Sequence, residues 1–153
     1  MTLESEIDIL RRVSFFADFP LDPLKLIAFS AETHAYADKA VLFKEGDVAD
    51  SGLVVMQGRV DLVRYDAGAP HILTSLGPSN LVGELALIIE TTRSARAVSH
   101  GPSRVLIIRR AMFRRVLAEY PIIAETLHSR IAQRLVKLAP ELGRLAKDLE
   151  EGR

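Results

Sequence analysis

Cysteine and tryptophan are absent from the 153 residues, and aromatic residues make up only 6% of them. Without cysteine, disulfides, thiolate catalysis and cysteine-ligated metals are excluded. A reducing cytoplasm is therefore the expected compartment. The N-terminus, Met1-Thr2-Leu3-Glu4-Ser5-Glu6, agrees, since it carries acids where a signal peptide carries bases. No apolar run approaches the ~18–20 residues of a membrane span, so no membrane partner is expected. The histidines, His34, His71, His100 and His128, form neither a His-x-His pair nor a His-x-x-x-His pair on one helix. That argues against a metal-dependent enzyme on a cupin-like barrel. A nucleophile elbow and a Walker loop are missing too, so no catalytic residue and no metal are expected.

What is present suits one soluble domain spanning 1–153, with 48% apolar and 26% charged residues, long enough to bury a core. Net charge is zero but unevenly spread. Residues 1–92 hold 7 Lys/Arg against 14 Asp/Glu, and residues 93–153 hold 13 against 6. Between Arg93 and Arg115 there are seven arginines and no acid. Such a run either pairs with the acidic half or focuses a positive field on an anionic ligand. Interleaved aromatics of the kind that stack on nucleic-acid bases are lacking.

Patterning divides the chain into three parts: N-terminal helices over about 4–30, strands over about 33–110 and C-terminal helices over about 111–150. Ile7, Ile9, Leu10, Val13 and Phe16 form a helical stripe. Leu24–Ser30 reads as a second helix, with Asp22 as N-cap and Pro23 at its first position. From about Thr33 the chain becomes short apolar runs broken by turns: 40–43, 53–56, 60–63, 71–76 and 103–108. This regular punctuation predicts a mainly β fold, a sandwich or roll. Residues 84–89, Glu-Leu-Ala-Leu-Ile-Ile, break the pattern and suggest one or two helical turns inside it. Ala111–Glu119 reads as a helix stopped at Tyr120-Pro121. A longer helix follows, with Leu127, Ile131, Leu135, Leu138, Leu142, Leu145 and Leu149 spaced almost as a heptad seam. Pro140 should kink or split it.

The most informative stretch is Gly83 to Ala95. It sets Glu84 and Arg93 about ten residues apart, beside a glycine, in an apolar region. Gly83 allows close approach of backbone to a ligand. A helical turn starting there points N–H groups and a positive dipole end at what lies before it. Arg93 can bond two phosphate oxygens at once, and Ser94 adds a hydroxyl. Ionised Glu84 can only accept, which suits a sugar hydroxyl. A sugar carrying a phosphate would satisfy all of them.

Gly83-Glu84-Leu85-Ala86-Leu87-Ile88 with Arg93-Ser94-Ala95 resembles the phosphate-binding cassette of cyclic nucleotide-binding domains. Val41-Leu42-Phe43-Lys44-Glu45-Gly46-Asp47, followed by Asp50-Ser51, resembles that family's first glycine turn. Val54-Val55-Met56-Gln57-Gly58-Arg59-Val60 resembles its second. The resemblance covers roughly residues 10–135. It implies a double-stranded β-helix, a jelly-roll-like β-roll with N-terminal helices and a long C-terminal helix. Arg93 and Ser94 would contact the phosphate and Glu84 the ribose 2′-hydroxyl. Gly83, Leu85 and Ala86 would offer backbone N–H groups, and Ala95 completes the ligand-binding set. The family's base contact comes from its last helix, where His128, Arg130 and Gln133 are candidates. Arg96 stands where the family more often has an uncharged residue, and is expected to face outward.

The resemblance implies a sensor for cAMP or cGMP, cAMP first, that re-docks its C-terminal helices on binding and acts on an unknown downstream protein. The seam would allow a homodimer. No DNA-binding domain is seen in the chain, which reads as a stand-alone sensor or a piece of something longer. The alternative is a degenerate β-roll that serves only as an interaction or dimerisation module.

Overall fold

The structure, a computed structural model, describes residues 2–138. It comprises two compact units, one ending at Val116 and the other beginning at Leu117.

In the first unit, α1 (Leu3–Arg12) is capped by Thr2, whose Oγ1 accepts the Ser5 N–H at 3.2 Å. The expected stripe runs on into a separate 3-10 turn, Ser14–Phe16. Helix α2 (Leu21–Ser30) begins two residues earlier than its cap signal implied. Pro20 precedes it, and Asp22 and Pro23 fall inside the first turn. There a missing proline N–H costs nothing and a carboxylate complements the dipole.

Ten strands follow: β1 (Glu32–Tyr36), β2 (Val41–Phe43), β3 (Val48–Ala49), β4 (Ser51–Gln57), β5 (Val60–Asp66), β6 (Ala69–Leu76), β7 (Leu81–Val82), β8 (Thr91–Thr92), β9 (Arg96–Ser99) and β10 (Ser103–Arg109). They pair antiparallel in two four-stranded sheets, ordered β1-β10-β4-β7 and β2-β9-β5-β6, with β3 and β8 as a separate pair. This is the expected β-roll. Alternate residues of each strand point inward, so Leu53, Val55, Val60, Val82, Ala97, Val105 and Ile107 form one buried cluster. Strand β4 is buried on both faces because α1 packs on its other side. Gly58 turns β4 into β5 at φ +84°, where any side chain would collide with Ser103.

A second core is aromatic. Phe15, Phe16 and Phe19 surround Phe113 of α3 (Arg110–Glu119), with centroids 5.9, 6.2 and 6.3 Å from its ring. Phe16 and Phe113 are fully buried.

In the second unit, α4 (Pro121–Leu138) opens at a proline, and Thr126 Oγ1 donates to the Ile122 carbonyl at 3.1 Å. Leu127, Ile131, Leu135 and Leu138 lie on it. Pro140, Leu142, Leu145 and Leu149 fall outside the described residues. Among the described residues, no helix is long and apolar enough to cross a membrane.

Candidate functional site

The β3–β8 pair builds the site. Val48 faces Thr92 and Ala49 faces Thr91 across the ladder. The pairing extends one step further, where the Arg93 N–H donates to the Asp47 carbonyl and the Gly46 N–H to the Arg93 carbonyl, both at 2.8 Å. Gly46, at φ +90°, makes the turn that allows this. Position 93 is thereby fixed, and its side chain turns into the roll.

Arg93 is only 8% exposed. Its Nη2 donates to the Ser51 carbonyl at 2.8 Å and lies 3.3 Å from Ser51 Oγ. Its Cζ sits 4.3 Å from the centre of the Phe43 ring, a cation–π contact. Burial pulls the guanidinium pKa below its ordinary value, and the charges of Asp50 and Asp47 oppose that shift. Both carboxylates act through space. Among the described residues, both Arg93 side-chain hydrogen bonds run from Nη2 to Ser51 rather than to Glu84. The site therefore holds a buried cation anchored on Ser51.

The cassette lies over this cation. Strand β7 pairs with β4, Leu53 facing Val82, and the chain then reaches Gly83 at φ +78°. A Cβ at Gly83 would collide with Arg93 Nη1. Residues Glu84–Leu87 follow as a 3-10 turn, with Ala86 N–H bonded to Gly83 O at 3.1 Å and Ile88 N–H to Leu85 O at 3.0 Å. Leu87 and Ala86 are buried while Leu85 is 43% exposed, so the turn is seated by its apolar side. Gly52 permits this, since a Cβ there would come within 3.1 Å of Leu87. The expected helical turn inside the β region is thus present, as a 3-10 turn of four residues.

The other expected residues are placed as follows. Glu84 is half-buried at the start of the turn. Ser94 is exposed, and its carbonyl accepts from Arg64 Nη2 at 3.0 Å. Ala95 is buried. Arg96 stacks on Tyr65, Cζ 5.1 Å from the ring centre. His128, Arg130 and Gln133 lie on α4, in the second unit.

Within the first unit a cavity of about 260 Å³ opens beside Arg93, lined also by His34, Tyr36, Phe43, Ser51 and Arg109. Among the described residues, Arg93 is the one residue of the proposed ligand-binding set that lines it. Burial raises the Tyr36 pKa, with Arg109 opposing. Arg109 itself bonds Glu32 at 3.0 Å and Asp50 at 3.2 Å, and the Glu32 hydrogen bond is the main cause of its raised pKa. The arginine run thus divides: Arg109 pairs with the acidic half, whereas Arg93 and Arg110 bond main-chain carbonyls. Phe43, Ser51 and Arg110 carry contacts that sequence reasoning did not assign. The first glycine turn, which holds Phe43 and is followed by Asp50-Ser51, was the available signal for two of them.

The sequence profile of the cyclic nucleotide-binding domain matches residues 33–120. The chain belongs to the cyclic nucleotide-binding domain family. Within that family it is similar to the cyclic AMP receptor protein of Thermus thermophilus, 32% identical over 77% of this chain and 54% of that protein. It is also similar to the cAMP-dependent protein kinase regulatory subunit of Dictyostelium discoideum, 26% identical over 71% of this chain and 35% of that protein. The chain thus spans about half or less of the length of these relatives. Among solved structures, the N-terminal domain of a Streptomyces coelicolor transcriptional regulator superposes with a TM-score of 0.79 at 31% identity, covering 85% of this chain and 92% of that one. A cyclic nucleotide-binding-like protein from Brucella abortus gives 0.68 at 34% identity, over 74% and 97% of the two chains.

Proposed function

We propose that this cyclic nucleotide-binding domain is a non-enzymatic cytoplasmic sensor that takes cAMP in preference to cGMP. The observation that carries the proposal is the buried Arg93 guanidinium, which is held through Nη2 by Ser51 and lies with Nη1 against Gly83. A buried cation gains most from a partner of opposite charge, and a cyclic phosphate is such a partner. The engaged Nη2 leaves Nη1, next to Gly83, to meet it. Ser94 adds a second phosphate contact and Glu84 takes the ribose 2′-hydroxyl. Gly83, Leu85 and Ala86 contribute backbone N–H groups, Ala95 lines the ligand, and His128, Arg130 and Gln133 are the candidates for the base contact. The preference for cAMP is supported by two relatives whose names carry that nucleotide.

Saturating cAMP, at ~100 times Kd, should raise stability by about 2.7 kcal/mol. Titration calorimetry and thermal melts with cAMP and cGMP in parallel test this. The absence of both heat and a melting shift at millimolar nucleotide would remove the proposal and favour the degenerate interaction module.

Binding re-docks the C-terminal helices, because a ligand shifts a conformational equilibrium only through different affinity for its states. Their heptad-like seam pairs two copies of the chain. Sedimentation of the full chain should show dimers at micromolar concentration, and monomer mass throughout would exclude the seam as an interface.

A further inference from the structure

Arg110 opens α3, and its guanidinium reaches back to the cassette. A single nitrogen, Nη1, lies 2.9 Å from the Ala49 carbonyl, 3.1 Å from that of Ile89 and 3.3 Å from that of Ala86. With two N–H groups for three acceptors, one proton is shared. Ala86 and Ile89 stand at the C-terminal end of the cassette turn, where carbonyls project without helical partners and a positive charge is favoured. The Arg110 main-chain N–H also donates to the Asp50 carbonyl at 2.8 Å. Arg93 holds the next carbonyl, that of Ser51. Three consecutive carbonyls, 49, 50 and 51, are therefore engaged by two arginines, one beneath the start of the cassette and one at its end.

We infer that Arg110 is a positioning residue of the cassette. It clamps the Ala86–Ile89 end to the same backbone segment that anchors Arg93, and so sets the spacing between the cassette N–H groups and the Arg93 guanidinium. This inference rests on the cassette being the nucleotide grip. The clamp needs a cationic fork that reaches three main-chain oxygens, so a side chain without donors cannot replace it.

The test uses the full chain. Arg110→Met keeps an aliphatic stem and removes the donors. Without ligand, amide exchange at Ile88 and Ile89, both bonded to the Leu85 carbonyl, reports the cassette, and exchange along β4 and β10 reports the roll. In Arg110→Met the cassette amides should exchange about tenfold faster while the roll stays protected, with Arg110→Lys in between. Cassette exchange unchanged from the native chain, or a uniform rise through the roll, overturns the clamp. With nucleotide, Kd of Arg110→Met for cAMP should rise about tenfold, and equal affinity in native and variant chains overturns its part in binding. Failure of the native chain itself to take up either cyclic nucleotide would overturn the nucleotide reading, while the exchange arm still decides the clamp.

Discussion

Arg93→Ala is expected to weaken cAMP binding by roughly 2–5 kcal/mol, the cost of leaving a buried charge without its partner. The contacts that Arg93 makes within the chain say how the loss divides. Arg93 is buried, bonded through Nη2 to Ser51 and stacked on Phe43, with Asp47 and Asp50 acting only from a distance. Removing it deletes these modest contacts but also relieves a buried cation. Stability without nucleotide should therefore fall by much less than affinity does. Calorimetric titration beside urea unfolding separates the two quantities. Undiminished affinity in Arg93→Ala would show that the phosphate does not meet this guanidinium. Arg93→Lys keeps the charge but not the fork, and its affinity should lie between the two.

Phe113→Ala should have the largest effect on stability, about 3–5 kcal/mol. The ring is fully buried among Phe15, Phe16 and Phe19 and lies nearly parallel to Phe19, with an interplanar angle of 17°. Backbone flanking such a void relaxes only partly, so a cavity remains. Urea unfolding would read the change as a lower midpoint at similar slope. A loss under about 1 kcal/mol would mean that the aromatic cluster collapses to fill the space.

The parts of the fold legible in the sequence were those with strong local signals. Runs such as Leu53–Met56 and Val60–Val63 became the buried strands β4 and β5, and the helical turn expected within 84–89 is present as the 3-10 turn Glu84–Leu87. Strand β1 was hidden because Glu-Thr-His-Ala-Tyr carries mixed polarity. Strands β3, β7 and β8, two residues each, carry no periodicity at all. They exist only because distant segments pair, and that pairing, Val48 with Thr92, is what aims Arg93 inward. The roles of Ser51, Phe43 and Arg110 were illegible for the same reason. Ser51 and Arg110 act through main-chain carbonyls and Phe43 through its ring face, contacts between residues far apart in the chain that no local spacing announces.

The contact between Gly83 and the Arg93 guanidinium also gives a rule for sorting sequences that share this roll. A positive φ alone is open to asparagine or aspartate at such a corner, at moderate strain. Here a Cβ would also meet Arg93 Nη1, the tip of a flexible side chain, so a larger residue at the corner obliges the guanidinium to swing aside. A chain with this architecture that carries a side chain at position 83 must therefore seat its arginine differently, and where that guanidinium comes to rest decides whether the corner still grips an anion.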